Sequence, residues 1–122
     1  MAYGTGTLIS EDIVLTCGHC LVESNSKDEG RVYWFGLRVK GGECEKYYVK
    51  EKFYFRSKLL ENSFSYDFAI LKLERKVRPV YGYLGFNIRD SFLIPNDEVM
   101  IVGYPQSKKK RMWKTDGLVE NI

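Results

Sequence analysis

The stretch Val14 to Leu21, VLTCGHCL, holds an apolar run, the chain's only histidine and two of its three cysteines. Two chemistries share these residues. Read as Cys17-Gly18-His19-Cys20, it is a two-cysteine redox motif, in which one thiolate attacks and the other resolves. Read as a strand ending in Thr16-Cys17-Gly18-His19, it delivers one imidazole to a strand end, where a general base can be held. The surrounding sequence decides between them.

A redox motif of this kind sits at the start of a helix, whose N-terminus lowers the pKa of the first cysteine. Beyond Cys20 the chain runs through Glu23-Ser24-Asn25-Ser26-Lys27-Asp28-Glu29-Gly30, polar residues that support one turn at most. The alternating helices that such a fold requires are missing as well. A zinc site built from Cys17, His19, Cys20 and Cys44 is disfavoured on two counts. Adjacent His19 and Cys20 are poorly placed to ligate together, and the spacing matches no common zinc pattern. No metal and no other cofactor is expected.

The rest of the chain reads as short strands and turns. GTGTLIS (4–10) and DIVLT (12–16) are two strands joined at Ser10-Glu11-Asp12. RVYWFGLRV (31–39) and EKYYVKEKFYF (45–55) are aromatic and β-branched, with Gly41-Gly42 between them, the pattern of a hairpin. KLLENSFSY (58–66) is loop or one helical turn. DFAILKLERKV (67–77) is a strand expected to bury Phe68, Ile70, Leu71 and Leu73, and EVMIVGYP (98–105) is another, stopped by Gly103 and Pro105. RMWKTDGLVENI (111–122) completes a second hairpin. Many short strands with regular turns predict an all-β chain, an antiparallel barrel or sandwich.

Composition fits one domain with a real core: 122 residues, 44% hydrophobic and 29% charged, with nine tyrosines and seven phenylalanines favouring strands. A net charge of +3 is too small to argue for nucleic acid, and Lys108-Lys109-Lys110-Arg111 reads as a solvated hairpin tip. No apolar run reaches membrane-span length, so no membrane partner is expected. No signal peptide opens the chain at Met1-Ala2-Tyr3-Gly4.

With these elements in place, three motifs together resemble one family. GTGTLISEDIVLTCGHCL resembles the segment of chymotrypsin-fold serine peptidases that carries their catalytic histidine. YDFAILKLERKV, whose Asp67 follows His19 by 48 residues, resembles the strand that carries their catalytic aspartate. VMIVGYP with MWKTDGLV resembles the Gly-Tyr-Pro segment and tryptophan hairpin of the glutamyl-endopeptidase branch. The resemblance implies an antiparallel barrel of the chymotrypsin type, with His19 as general acid/base and Asp67 as its orienting carboxylate. It also implies peptide-bond hydrolysis through an acyl-enzyme, with no metal or cofactor, and a secreted protein. Thr16 and Gly18 fit a tight turn and are assigned no chemistry.

The departures from the family are equally specific. Its cysteine after the histidine pairs with an upstream cysteine, but the corresponding region here is Tyr3-Gly4-Thr5, so Cys20 lacks that partner. Cys17 stands where the family has alanine. A Cys17–Cys20 bridge is strained so close in sequence, Cys44 is an alternative partner, and buried reduced thiols are the expected state. None of Ser10, Ser24, Ser26, Ser57, Ser63, Ser65, Ser91 or Ser107 has the glycine-flanked context of the family's nucleophile. The expectation is therefore a barrel truncated at both ends. Residues 1–85 are the first barrel, 86–97 the connection, and 98–122 an incomplete start of the second. Such a chain is expected to be inactive alone and to act on a peptide or protein substrate only when completed by a second barrel. The alternative is a non-catalytic, peptidase-derived binding or assembly subunit, self-associating through exposed strand edges.

Overall fold

The computed structural model describes residues 3–21, 32–40, 43–61, 64–86, 93–108 and 111–120. The expected polar loop at 23–30, the Gly41-Gly42 turn, Ser91 and Lys109-Lys110 lie outside these. The described part is all-β. Strands β1 (Thr7–Leu8), β2 (Ile13–Thr16), β3 (Trp34–Lys40), β4 (Glu43–Tyr54) and β5 (Ala69–Leu73) form one antiparallel sheet in the order β1-β2-β5-β4-β3. Strands β6 (Glu98–Gly103) and β7 (Trp113–Leu118) form a separate two-stranded ladder, the second of the two expected hairpins. The single α-helix among the described residues is short, α1 (Arg56–Leu60), where one helical turn was expected nearby. Among the described residues no helix is long and apolar enough to cross a membrane.

The sheet curls because β4 changes partners along its length. Glu43 to Tyr48 pair with β3, and Val49 to Tyr54 pair with β5, with the register shifting between Val49 and Glu51. An extra residue at such a point bends the strand and increases its twist. A second register shift, between Leu37 and Lys40, does the same for β3.

Inside the curl lie Leu8, Val14, Leu21, Tyr47, Ala69, Leu71, Leu73 and Val77, with Tyr33, Phe35, Leu37, Val49, Tyr54 and Tyr81 packed around them. Strand β5 alternates strictly, with Ala69, Leu71 and Leu73 inside. Of the side chains expected to be buried here, Leu71 and Leu73 are. Ile70 is half-buried on the other face, and Phe68 is exposed, packed edge-on against Phe55. The period of two places Ala69, not its bulkier neighbours, on the core face. Its small side chain is fully buried opposite Thr16.

Ion pairs fasten the turns at the far end of the ladder. Lys72 pairs with Asp12, which holds the Asp12 carboxyl below its ordinary range, and Arg78 pairs with Glu45 while also donating to the Tyr81 hydroxyl. The N-terminal segment joins the sheet to the second ladder: the Tyr104 amide donates to Thr5 Oγ1 at 2.8 Å, and Tyr3 Oη donates to the Pro105 carbonyl at 3.3 Å.

Candidate functional site

The site follows from one antiparallel pairing. In the β2–β5 ladder Thr16 stands opposite Ala69, so the chain just after β2 and the chain just before β5 meet at the same sheet end. His19 lies three residues beyond Thr16, and Asp67 two residues before Ala69. After β2 the chain makes a single 3₁₀ turn, Gly18–Cys20, whose carbonyls are closed by the Leu21 amide. This turn swings His19 toward Asp67.

Gly18 is what lets the turn sit so close. A Cβ there would lie 2.7 Å from Leu59 Cδ1 of α1 and 3.1 Å from the Phe68 carbonyl oxygen. Thr16 anchors the strand end by donating its hydroxyl to the Thr5 carbonyl at 2.8 Å. Both residues are structural, as expected.

Asp67 grips His19 twice. The His19 backbone amide donates to Oδ1 at 2.7 Å, and ring Nδ1 lies 2.8 Å from Oδ2. Burial pushes the Asp67 carboxyl up, but the ring, the His19 amide and the Gly18 amide outweigh it and hold the carboxyl below its ordinary range. An ionised carboxylate only accepts, so Nδ1 carries a proton, and in the neutral imidazole Nε2 is then the nitrogen with the free lone pair. The imidazole is 67% exposed and the Asp67 side chain 22%, so the carboxylate is sheltered while the ring faces solvent. Tyr66 and Phe68, the sequence neighbours of Asp67, both meet the Phe55 ring edge-on, at 5.1 and 5.5 Å. Among the described residues no serine hydroxyl hydrogen-bonds to His19.

The cysteines are free thiols. They were expected to be buried, yet Cys17 and Cys44 are only half-buried and Cys20 is exposed as a residue. Desolvation of its sulfur, then the adjacent Cys17 thiol, pushes Cys20 up to about 11. A redox motif needs the opposite shift. The 3₁₀ turn offers no α-helical N-terminus to supply it. One further expectation changes: although His19 and Cys20 are adjacent, the turn brings a ring nitrogen of His19 and the sulfurs of Cys17 and Cys20 within 4.8 Å of one another. Cys44 is not part of this group.

The model of the trypsin-like peptidase domain matches residues 4–122. The chain belongs to this family. Its fold matches that of a Glu endopeptidase solved in complex with MPD, with a TM-score of 0.74 at 23% identity, over 96% of this chain. The match spans 57% of that endopeptidase's length. No curated protein matches significantly. The sheet is thus the chymotrypsin-type barrel in truncated form, and the chain is a serine peptidase-family domain. Within the region Tyr3-Gly4-Thr5, Gly4 lies beside Cys20: a Cβ on Gly4 would stand 3.1 Å from Cys20 Sγ.

Two elements of the site escape sequence reasoning. The amides of Gly18 and His19 that hold Asp67 are backbone groups, which no residue type announces. The gathering of Cys17, His19 and Cys20 comes from the tightness of the 3₁₀ turn. A glycine directly before the histidine was its only signal.

Proposed function

We propose that this chain carries the acid/base half of a serine-type endopeptidase, with His19 as general acid/base and Asp67 as the carboxylate that fixes it. The double grip of Asp67 on the His19 ring and amide is the observation that carries the reading. It sets one tautomer and one ring orientation, and leaves Nε2 able to take a proton from a serine hydroxyl and return it to a leaving amine. No metal or cofactor enters this chemistry.

Hydrolysis also needs a nucleophile and oxyanion donors. The serines of this sequence lack the glycine-flanked context, so both are assigned to a second barrel, and the chain alone is inactive. On this reading residues 1–85 form the first barrel, 86–97 connect, and 98–122 begin the second. The exposure of the β6–β7 ladder supports the division: Met100, Ile101, Val102, Trp113 and Leu118 are all exposed although the ladder itself is fully paired. At about 25 cal/mol per Å² of apolar area, covering several such side chains contributes several kcal/mol. The same exposed ladder favours a second reading, a non-catalytic binding or assembly subunit that docks a partner or a second copy there.

A serine-directed fluorophosphonate separates these readings. The 122-residue chain should stay unlabelled. The same chain extended by a downstream Gly-x-Ser-Gly segment should label at that serine, and His19→Ala should abolish the labelling. Stoichiometric labelling of a serine within the present sequence would overturn the assignment of the nucleophile. An extended chain that never labels would favour the assembly role.

A further inference from the structure

His19 has a second set of neighbours that proteolysis does not use. Two sulfurs and an imidazole nitrogen stand within 4.8 Å of one another on a four-residue turn, Cys17 to Cys20. A tetrahedral d¹⁰ cation holds thiolate at about 2.3 Å and imidazole at about 2.0–2.1 Å, which sets its ligand atoms roughly 3.4–3.8 Å apart. Contracting from the observed spacing takes about 1 Å of side-chain rotation, at a site where His19 and Cys20 are exposed and Cys17 is half-buried. Two thiolates with one imidazole is a donor set that suits zinc and disfavours magnesium or calcium, which take oxygen ligands.

We propose that Cys17, His19 and Cys20 form a binding site for a single zinc-like divalent cation, and that occupying it removes His19 from acid/base service. Binding displaces one proton from each thiol into solvent and changes no oxidation state. The fourth position is left to water. If the cation takes Nε2, it occupies the lone pair that a serine proton needs, while Asp67 stays on Nδ1 as the partner that orients a metal-bound histidine. If it takes Nδ1, it displaces Asp67. Either way the ion and the general base compete for one ring. The binding stands on the ligand geometry alone. Only its consequence for catalysis rests on the role proposed for His19, so the test reads the metal directly.

The experiment titrates the reduced full chain with Co²⁺ as a spectroscopic probe and then adds Zn²⁺. One equivalent of Co²⁺ should give the intense visible bands of a tetrahedral site together with thiolate-to-cobalt charge transfer, and one equivalent of Zn²⁺ should abolish both. Cys17→Ser and Cys20→Ser should each weaken binding by tenfold or more, His19→Ala should weaken it, and Cys44→Ser should leave it unchanged. A parallel measurement needs no variant: Zn²⁺ should slow alkylation of Cys17 and Cys20 at least tenfold, with Cys44 as the internal control. The proposal is overturned if the Co²⁺ spectrum stays that of the aqueous ion. It also fails if the charge-transfer band survives in the Cys17→Ser/Cys20→Ser double variant, or if Zn²⁺ leaves the alkylation of Cys17 and Cys20 unaltered.

Discussion

Gly4→Cys should create a disulfide to Cys20, and the structure gives the reason in one distance. In a disulfide, each Cβ lies about 3.0 Å from the partner sulfur, given an S–S bond of about 2.03 Å and ordinary C–S geometry. A Cβ built on Gly4 lies 3.1 Å from Cys20 Sγ, and Gly4 does not occupy the left-handed region that would penalise a side chain. Cys20 is therefore a half-made bridge whose other half, a Cβ and its sulfur, is missing at Gly4. Joining positions 4 and 20 closes a loop of about 16 residues, which in the chain-entropy model stabilises the fold by roughly 3 kcal/mol. That is a large part of the roughly 5–15 kcal/mol of a small domain. The bond would tie the N-terminal segment, already anchored through Thr5 to Thr16 and Tyr104, directly to the turn that presents His19.

The assay is an intact mass of the oxidised variant, peptide mapping of the bridge, and denaturant unfolding with and without reductant. Oxidation should remove two hydrogens, the map should link positions 4 and 20, and the oxidised form should unfold at higher denaturant than the reduced form. A bridge mapped to Cys17 or Cys44 would refute the geometric argument. So would a correctly bridged protein no more stable than its reduced form, since strain would then have cancelled the entropy gain.

Two further predictions concern the pair and the core. Because Asp67 is held below its ordinary range, its contribution to stability is fully present above about pH 4 and is lost as pH falls through its folded value. Asp67→Asn should therefore flatten the acid limb of the thermal-unfolding midpoint against pH, and an unchanged acid limb would mean that the carboxylate gains nothing from His19. Leu73→Ala, at a site 2% exposed in the centre of the core, should cost about 2–5 kcal/mol. A shift below 1 kcal/mol in urea unfolding, on the order of a surface substitution, would show that β5 is not packed as described.

How much of this was legible beforehand depends on which interactions have a residue type as their signature. The apolar run Ala69 to Leu73 marks a strand but not its core face, since Ile70 is as apolar as its neighbours, and a glycine-bearing turn before His19 marks a strand end. The three motifs, in order, supplied the pairing of His19 with Asp67 across 48 residues. Other features have no such signature. Phe68 looks like a core residue by hydrophobicity, but the pleat turns it outward, against Phe55. Cys20 looks like a buried thiol, but it is exposed as a residue on the 3₁₀ turn. The partner switch along β4 is a bulge at Lys50, inside a run of residues that would each suit an ordinary strand.

The site geometry is a consequence of the core. Val14 faces Leu71, and Thr16 faces Ala69, with Val14 and Ala69 fully buried. A slip of one residue by β5 would turn Leu71 and Leu73 toward water while Val14 stayed inside, so the burial of alternate residues along β5 pins the register. The same slip would move Asp67 by about 3.3 Å along its strand direction. Hydrogen bonds of 2.7 and 2.8 Å to His19 would not survive that displacement. The residues that exclude water from the sheet thus also set the distance between imidazole and carboxylate, and no side chain beyond β6 is needed to hold it. The His19–Asp67 pair is local to the five-stranded sheet. For that reason it can persist in a chain that spans 57% of the Glu endopeptidase whose fold it shares. It also leaves His19 facing solvent, open to a serine brought by a second barrel or to a metal ion captured by the two cysteines beside it.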